Sequence, residues 1–358
     1  MLRTPLYEEH KSLGANFTDF GGWEMPVRYG SDLDEHHAVR SSAGIFDISH
    51  MSEFSIVGDN AARFLDYAVV TQVSKLAVGK AKYTMICRED GGVIDDLIVY
   101  RLHEVDFLII ANAANREAVR NALQQRASGF ALTITDNSDD TALIAIQGPN
   151  AAGVLQKLAN TDLTPLRYYS IASAEVGGCA ALLARTGYTG EDGFEILVQN
   201  NDAVKVWRAL IATNQVKPCG LASRDTLRLE AGMPLYGHEL TLDTTPYSAF
   251  LGRIINLDRD DFVGKSALTS ETRGPRLYAL RGEGKRAARA GYQVFLPGES
   301  APIGEITSGV LSPTLGYPIG FAYLSAEVET GTKLEADVRG TRIGYEVVKT
   351  PFYRRENG

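Results

Sequence analysis

The chain has 358 residues, of which 44% are hydrophobic and 22% charged, and its formal net charge at pH 7 is −8. This length accommodates two or three domains with substantial cores, and the acidic balance argues against a nucleic-acid partner. No apolar run reaches the roughly 18 residues that a membrane-spanning helix needs, so no membrane partner is expected either.

Cysteine usage and the start of the chain bear on its compartment. Cys87, Cys179 and Cys219 are far apart and odd in number, which argues against a disulfide framework and against a Cys-based zinc site. Residues 1–5 lack the apolar segment of a secretory leader. We therefore expect a cytoplasmic protein in a reducing compartment.

The first fifty residues are rich in glycine, histidine and aromatic residues. Residues 38–42 favour a short helix, and residues 44–51 favour a turn that runs into an extended segment. His36 and His37 are adjacent, and neighbouring residues of a regular element point in different directions. They would not ligate one metal ion together, so we predict no metal site.

A partial internal repeat organises the next part of the chain. Residues 54–62 predict a strand, a turn and a helix start, with Asn60 as the N-cap, and residues 143–152 repeat this pattern with Asn150 as the N-cap. Each copy reads β-α-β-β-β-α, over residues of about 52–140 and 141–215. We therefore predict two related α+β modules that pack as a pair, with a ligand cleft at their junction.

The last third of the chain changes character. Residues 224–232 have helical apolar spacing that ends at a glycine. From residue 275, short strand patterns alternate with Gly and Pro turns, which is typical of a small all-β barrel or sandwich. The prediction is an α+β core domain over residues 1–272 and a C-terminal all-β domain over residues 275–358.

Asp95 and Asp96 interrupt the strand pattern of residues 93–102. Asp is depleted in strands, and successive strand residues point to opposite faces. One carboxylate can reach solvent, whereas the other points at a core or a pocket, where a charge is costly without a partner. The pattern leaves open whether this pair has a function or only a structural hydrogen bond.

For two more polar clusters, the sequence likewise leaves open whether the role is structural or functional. Glu195 interrupts an apolar strand pattern and is either an edge-strand residue facing water or a pocket carboxylate. The charged residues of segment 224–230 either form an intrahelical ion-pair network of little energetic weight or contribute to a site. The tyrosines near these clusters would together suit a flat heteroaromatic ligand with N–H donors: Tyr83, Tyr100, Tyr168, Tyr169, Tyr188 and Tyr353.

Motifs throughout the chain carry a family resemblance. The sequence resembles the aminomethyltransferase (T-protein) family of the glycine cleavage system, in register over nearly its whole length. The motifs are Thr4-Pro5-Leu6-Tyr7, Asp19-Phe20-Gly21-Gly22-Trp23, Glu35-His36-His37-Ala38-Val39-Arg40, Phe46-Asp47-Ile48-Ser49-His50-Met51, Gly91-Gly92-Val93-Ile94-Asp95-Asp96, Thr186-Gly187-Tyr188-Thr189-Gly190-Glu191, residues 224–232, Ile306-Thr307-Ser308-Gly309, Ser312-Pro313-Thr314-Leu315-Gly316 and Pro351-Phe352-Tyr353.

The resemblance implies a three-lobed fold around a central tetrahydrofolate site, with a C-terminal β-barrel over residues 275–358. It also implies transfer of a methylene group to tetrahydrofolate from an aminomethyl group on the lipoyl arm of the H-protein, with release of ammonia, 5,10-methylenetetrahydrofolate and dihydrolipoyl H-protein. By motif matching, the catalytic residue is Asp96, which also contacts folate. The other folate-binding residues are Glu195, Arg224, Tyr83, Tyr100, Asn112, Tyr188, Tyr353 and Met51.

Related families offer alternatives. Folate-dependent demethylases and non-catalytic folate-binding proteins share the resemblance, as do dehydrogenases with an additional flavin domain that 358 residues cannot also hold. One related group carries a Lys-Gly-Cys-Tyr motif, which residues 234–239 lack. An Asp with an ordinary pKa of ~3.9 is ionised at neutral pH. Asp96 would therefore stabilise positive charge that develops during one-carbon transfer.

Overall fold

The computed structural model describes residues 1–268 and 274–355. The first five elements are α1 (Tyr7–Ser12), β1 (Asn16–Phe20), β2 (Trp23–Arg28), α2 (Asp32–Ser41) and β3 (Gly44–Asp47). Helix α2 begins earlier than predicted because Ser31 Oγ accepts a hydrogen bond from the Asp34 amide at 3.2 Å and caps its first turn. The β1–β2 hairpin was not predicted, since most residues of β1 are exposed and show no apolar alternation.

The first module is a five-stranded antiparallel sheet with helices on one face. Its strands have the order β5-β6-β7-β4-β8. The elements are β4 (Ser52–Val57), α3 (Ala61–Ala68), β5 (Lys80–Cys87), β6 (Val93–His103), β7 (Asp106–Ala111), a 3₁₀ turn (Ala113–Asn115), α4 (Arg116–Arg126) and β8 (Thr133–Asp136). The predicted β-α-β-β-β-α order is observed here, and β8 is an addition that pairs with β4.

The second module repeats this arrangement. Its strands have the order β10-β11-β12-β9-β3-β13, so that β9 to β12 correspond to β4 to β7. The elements are β9 (Thr141–Gln147), α5 (Ala151–Gln156), β10 (Ile171–Val176), β11 (Cys179–Ala184), β12 (Gly193–Gln199), α6 (Asn200–Ala212) and β13 (Lys217–Pro218). Strand β3 precedes the first module in the chain but pairs with β9 of the second, which ties the two modules together.

The two sheets share an edge and pack through their inner faces. Residues 79–81 and 169–171 form an antiparallel pair, in which the Ala81 amide donates to the Tyr169 carbonyl at 2.9 Å. Along β6, Leu97 and Val99 face helices α3 and α4, whereas Ile98 and Tyr100 join an apolar cluster that includes residues of the second module. The face opposite the helices is therefore the junction between the modules.

The prediction that asparagine side chains cap helices α3 and α5 is wrong. Asn60 and Asn150 stand at the N-cap positions, but neither side chain makes a capping hydrogen bond. Their ψ angles are 4° and −2°, respectively. A capping side chain needs the extended backbone of an ordinary N-cap, from which it can reach the next turn.

Helix α7 (Leu221–Glu230) connects the modules to the C-terminal domain. Gly232 follows the helix with φ +73°, and a Cβ there would lie 2.8 Å from the Cβ of Thr350. A 3₁₀ turn (Gly252–Ile254) lies in the irregular segment that follows α7. None of the described helices is long and apolar enough to cross a membrane.

The C-terminal domain is a closed six-stranded antiparallel barrel, as predicted. Its strands are β14 (Arg276–Gly282), β15 (Gln293–Phe295), β16 (Pro302–Leu311), β17 (Pro318–Leu324), β18 (Lys333–Val338) and β19 (Thr341–Val348), closed in the order β14-β17-β16-β15-β18-β19. Apolar residues of the barrel pack with Leu229 of α7 and with Val93 and Met85 of the first module. The predicted end of the core domain, at residue 272, lies outside the described residues.

Candidate functional site

The two adjacent aspartates of β6 diverge, as the alternation of a strand requires. Asp95 is fully buried on the helix side of the sheet, where the Asn115 side chain donates to it at 2.6 Å. Asp96 points to the junction between the modules and is partly exposed. Asp96 is therefore the member of the pair that a ligand can reach.

Both oxygens of Asp96 accept a hydrogen bond. The Tyr83 hydroxyl donates to Oδ2 at 2.9 Å, and Asn112 Nδ2 donates to Oδ1 at 2.9 Å. In the β5–β6 pairing, Tyr83 stands opposite Ile98, two residues from Asp96 on the same face, which places its ring within diagonal reach. These contacts hold the carboxylate in one orientation.

The expectation of an ordinary pKa for Asp96 is wrong. Burial raises the pKa of the Asp96 carboxyl, while the hydrogen bonds from Tyr83 and Asn112 lower it, and the net direction is upward. Burial also raises the pKa of Asp95, and the neighbouring Asp96 charge raises it further. A positively charged ligand beside Asp96 would favour its ionised form.

Asp95 has a structural environment. Its two oxygens accept from the Asn112 amide at 2.9 Å, from Asn112 Nδ2 at 2.8 Å and from Asn115 at 2.6 Å. The same Nδ2 also contacts Asp96. Asn112 follows the end of β7, and it therefore ties the two aspartates to the neighbouring strand.

Glu195 lies on β12, between β11 and β9, so it is not an edge-strand residue. Its Oε2 accepts from Thr186 Oγ1 at 2.5 Å and from the Tyr100 hydroxyl at 3.4 Å. Tyr100 comes from the first module and is buried, so this cluster crosses the junction. None of the described residues donates a hydrogen bond to Glu195 Oε1, which leaves that oxygen for a ligand.

Arg224 projects from the first part of α7. Its guanidinium carbon lies 4.9 Å from the centroid of the Tyr188 ring, a cation–π distance. The Tyr188 hydroxyl donates to the Pro234 carbonyl at 2.5 Å, which fixes the ring. Among the described residues, no carboxylate forms an ion pair with Arg224 and no side chain accepts a hydrogen bond from it, so the guanidinium keeps its donors available.

Tyr353 and Met51 have looser connections to these groups. The Arg40 guanidinium carbon lies 4.0 Å from the centroid of the Tyr353 ring. Burial and the neighbouring Glu191 together raise the pKa of Tyr353 to about 12. Met51 packs against the apolar cluster that contains Tyr100. Eight of the nine proposed site residues are partly exposed, which is typical of residues that line a cleft, and Tyr100 is buried.

The interpretation of segment 224–230 as a surface ion-pair network is wrong. Arg228 is buried and donates to Glu239 at 3.0 Å as well as to Asp225 at 2.8 Å. Glu230 is also buried and accepts from Arg40 at 2.8 Å and from Thr314 of the C-terminal domain at 2.8 Å. The Thr314 hydrogen bond ties α7 to the C-terminal domain. Burial raises the pKa of Glu230, but His36 and Arg40 outweigh it and lower the pKa to about 2.

Sequence reasoning missed Thr186 and Asn115, which anchor Glu195 and Asp95. Thr186 is the first residue of the motif of residues 186–191, and its place in that motif was the available signal. His36, considered for a metal, instead contacts Thr226 at 2.7 Å and Thr314 at 2.9 Å. Within residues 1–268 and 274–355, no group of three or more His, Cys, Asp or Glu side chains could hold a metal ion.

Comparisons with known proteins agree over the whole chain. Residues 6–259 match the GCVT N-terminal domain family, and residues 276–354 match the glycine cleavage T-protein C-terminal barrel domain family. The chain is 53% identical to an aminomethyltransferase of Streptomyces avermitilis, over 99% of this chain and 98% of that protein. It is 52% identical to an aminomethyltransferase of Saccharopolyspora erythraea, with the same coverage.

A solved structure is similar as well. The crystal structure of glycine cleavage system aminomethyltransferase T from Bartonella henselae has a TM-score of 0.93 to this chain. The two chains are 35% identical, and the match covers 98% of each. The likeness therefore includes both modules and the barrel.

Proposed function

Because the chain belongs to the glycine cleavage T-protein family of aminomethyltransferases, we propose that Asp96, Glu195 and Arg224 carry its folate-dependent transfer reaction. The observation that carries this proposal is their arrangement at one junction. Asp96 and Glu195 are partly exposed on the junction faces of the two sheets, and Arg224 is near Glu195, since burial lowers the pKa of Arg224 and the Glu195 charge raises it. Glu195 and Arg224 keep hydrogen-bonding capacity that the described residues do not fill.

These residues fit the pterin ring of tetrahydrofolate. A pterin edge presents a ring N–H and an exocyclic amine, which match the open oxygen of a carboxylate such as Glu195. Arg224 would donate to an acceptor on the same ring system, and Tyr188 would pack against the ring. Tyr100 and Thr186 would hold Glu195 in place. Met51 and Tyr353 remain proposed contacts at the margin of the site.

Tetrahydrofolate, when bound, supplies the amine nitrogens that take up the one-carbon unit. The proposed donor is an aminomethyl group on the lipoyl sulfur of the H-protein, whose carbon gains positive charge as its bond to sulfur breaks. Asp96 would stabilise that charge without reorganisation, because Tyr83 and Asn112 already fix its oxygens.

The size of this effect can be estimated. At about 4 Å and an effective dielectric constant of about 20, attraction between two unit charges is worth roughly 4 kcal/mol. That corresponds to on the order of a thousandfold in rate. The effect requires ionised Asp96, and the approaching cation lowers the pKa that burial raises.

One assay tests the proposal. The full chain is incubated with tetrahydrofolate and aminomethyl-loaded H-protein, and ammonia and 5,10-methylenetetrahydrofolate are followed together. Both products should form in equal amounts. Folate binding without either product would instead indicate a non-catalytic folate-binding protein, and methyl transfer from an ether or thioether would indicate a demethylase.

A further inference from the structure

A second pocket lies at the junction of the modules, apart from the site described above. Its volume is about 640 Å³. Leu102 and Leu108 of the first module and Leu182 and Leu197 of the second form its apolar wall. None of the nine proposed site residues is among the residues that line it. Leu197 shares a strand face with Glu195 two residues away, about 7 Å along β12, so the pocket is a neighbour of the folate site.

The polar wall of this pocket is acidic. It contains Glu53, Asp139 and Asp140, and among the described lining residues there is no Lys, Arg or His. Arg116, which does not line the pocket, makes two hydrogen bonds of 2.7 Å to the Asp139 carboxylate. No described basic residue pairs with Glu53 or Asp140. Asp140 therefore carries an unbalanced charge, and Glu53 can ionise beside a cation, so this wall favours a cationic occupant.

Two buried acceptors in the pocket wall lack partners. Glu53 is fully buried, and its Oε2 accepts from Thr141 Oγ1 at 3.1 Å, whereas Oε1 has no partner among the described residues. Asn200 Nδ2 donates to the Asp139 carbonyl at 2.6 Å, but its buried Oδ1 also lacks a described partner. A buried polar atom without a partner is costly, so a ligand that donates hydrogen bonds to both atoms would be stabilised here.

We propose that this pocket binds an organic ammonium ion with an aliphatic body. The ammonium group donates to Glu53 Oε1 and Asn200 Oδ1, and the carbon chain packs against the four leucines. This pairs an N–H donor with each unpartnered acceptor and an apolar chain with the apolar wall. The proposal does not depend on the function assigned to the neighbouring site.

The proposal also predicts that ligand affinity depends on pH, because Glu53 loses a proton when a cation binds. The pKa of Glu53 is raised to about 9, because burial and the charges of Asp136 and Asp139, which raise it, outweigh the Thr141 hydrogen bond and the Arg116 charge, which lower it. At neutral pH the side chain is therefore protonated in the empty pocket. Binding of a cation favours the carboxylate, so each ligand bound releases one proton to solvent. Below the pKa of Glu53, apparent affinity should then rise about tenfold per pH unit.

The probe is n-hexylamine, which stays charged below about pH 10 as a lysine side chain does. It is titrated into the full chain labelled at leucine methyl groups, at pH 7 and pH 8. We expect saturable shifts at the four pocket leucines and a dissociation constant about tenfold lower at pH 8. Hexan-1-ol, which has the same chain length and no charge, should bind at least tenfold more weakly.

The variant Glu53→Gln keeps the shape of the side chain but cannot ionise. It should weaken n-hexylamine binding by at least tenfold and abolish the pH dependence, whereas the exposed control Glu89→Gln should change neither. If Glu53→Gln does not fold, Asp140→Asn replaces it and should weaken binding several-fold. The absence of saturable shifts, or equal affinities for the amine and the alcohol, would overturn the proposal and leave a pocket that holds water.

Discussion

The two modules present the same face of similar sheets to each other, but they place different carboxylates on it. In the first module, both oxygens of Asp96 accept hydrogen bonds from Tyr83 and Asn112. In the second, only Oε2 of Glu195 is anchored, by Thr186. A carboxylate held at both oxygens is preorganised to stabilise charge, whereas one with a free oxygen is suited to bind a ligand.

The strand register sharpens this contrast. In the second module, Glu195 stands opposite Ala145 on β9. The residue of β4 that corresponds to Ala145 is Ser55, and Leu108 stands opposite it. Leu108 is therefore the counterpart of Glu195 in the first module. The fold therefore accepts a leucine at the position that carries Glu195 in the other module. This comparison indicates that the architecture of the sheet does not require Glu195, which is consistent with its proposed role in binding.

The largest expected effect comes from the adjacent aspartates. Asp96→Asn should lower kcat on the order of a thousandfold because it removes about 4 kcal/mol of charge stabilisation, and the dissociation constant for tetrahydrofolate should stay within a few-fold. Asp95→Asn should lower kcat by less than about tenfold, since Asp95 faces the helices. Steady-state assays of ammonia release, with tetrahydrofolate binding measured separately, check both. Equal losses in the two variants would contradict the assignment of faces.

The next effect concerns ligand binding by Glu195 of the second module and Arg224 of α7. Glu195→Gln and Arg224→Lys should each raise the dissociation constant for tetrahydrofolate by about 10- to 100-fold, as expected for loss of a hydrogen bond to a charged group of about 1.5–3 kcal/mol. Isothermal titration calorimetry measures the change. Glu175→Gln, which alters an exposed carboxylate on β10 of the same sheet, is the matched control and should bind normally. Unchanged affinity in Glu195→Gln would remove Glu195 from the binding site.

A smaller effect tests how the first module holds its carboxylate. Tyr83→Phe removes the hydroxyl that lowers the pKa of Asp96. Because activity requires ionised Asp96 and is lost as the pH falls, the acidic limb of the kcat profile should move upward by about one pH unit, or about 1.4 kcal/mol. Tyr168→Phe, at a tyrosine that is 51% exposed, should leave the limb in place. A downward shift would contradict the proposed role of Tyr83.

The smallest effect concerns the anchor of Glu195. Thr186→Val removes the 2.5 Å hydrogen bond while it conserves the shape of the side chain. Tetrahydrofolate affinity should fall about fivefold, which corresponds to roughly 1 kcal/mol for one hydrogen bond, and kcat should be unchanged. Thr164→Val, at an exposed threonine, is the control. A loss in kcat equal to that of Asp96→Asn would mean that the two modules do not divide binding and charge stabilisation.

Local patterns in the sequence predicted much of the fold. The repeated strand-turn-helix pattern at residues 54–62 and 143–152 predicted the paired modules, and Gly and Pro turns after residue 275 predicted the barrel strands. The β1–β2 hairpin was missed because its mostly exposed first strand has no apolar alternation. Helix α2 was predicted too short, since its start depends on a side-chain cap at Ser31 and not on apolar spacing.

The site was predicted in part. Alternation along β6 required Asp95 and Asp96 to diverge, but family resemblance was needed to choose between them. The burial of Arg228 and Glu230 was not predictable, because their partners Glu239 and Thr314 lie elsewhere in the chain. The upward shift in the pKa of Asp96 was missed for the same reason, since burial depends on elements that pack over the residue.

The sequence by itself determined the period-2 alternation of the strands, the two modules and the all-β character of the C-terminal domain, because these depend on local patterns in the chain. Only the tertiary structure decided which carboxylate of the Asp95–Asp96 pair faces the junction, which oxygen of Glu195 stays free and where Arg224 lies. Hydrogen bonds and desolvation depend on groups that are close in space but distant in the chain. At this site those groups come from both modules and from α7.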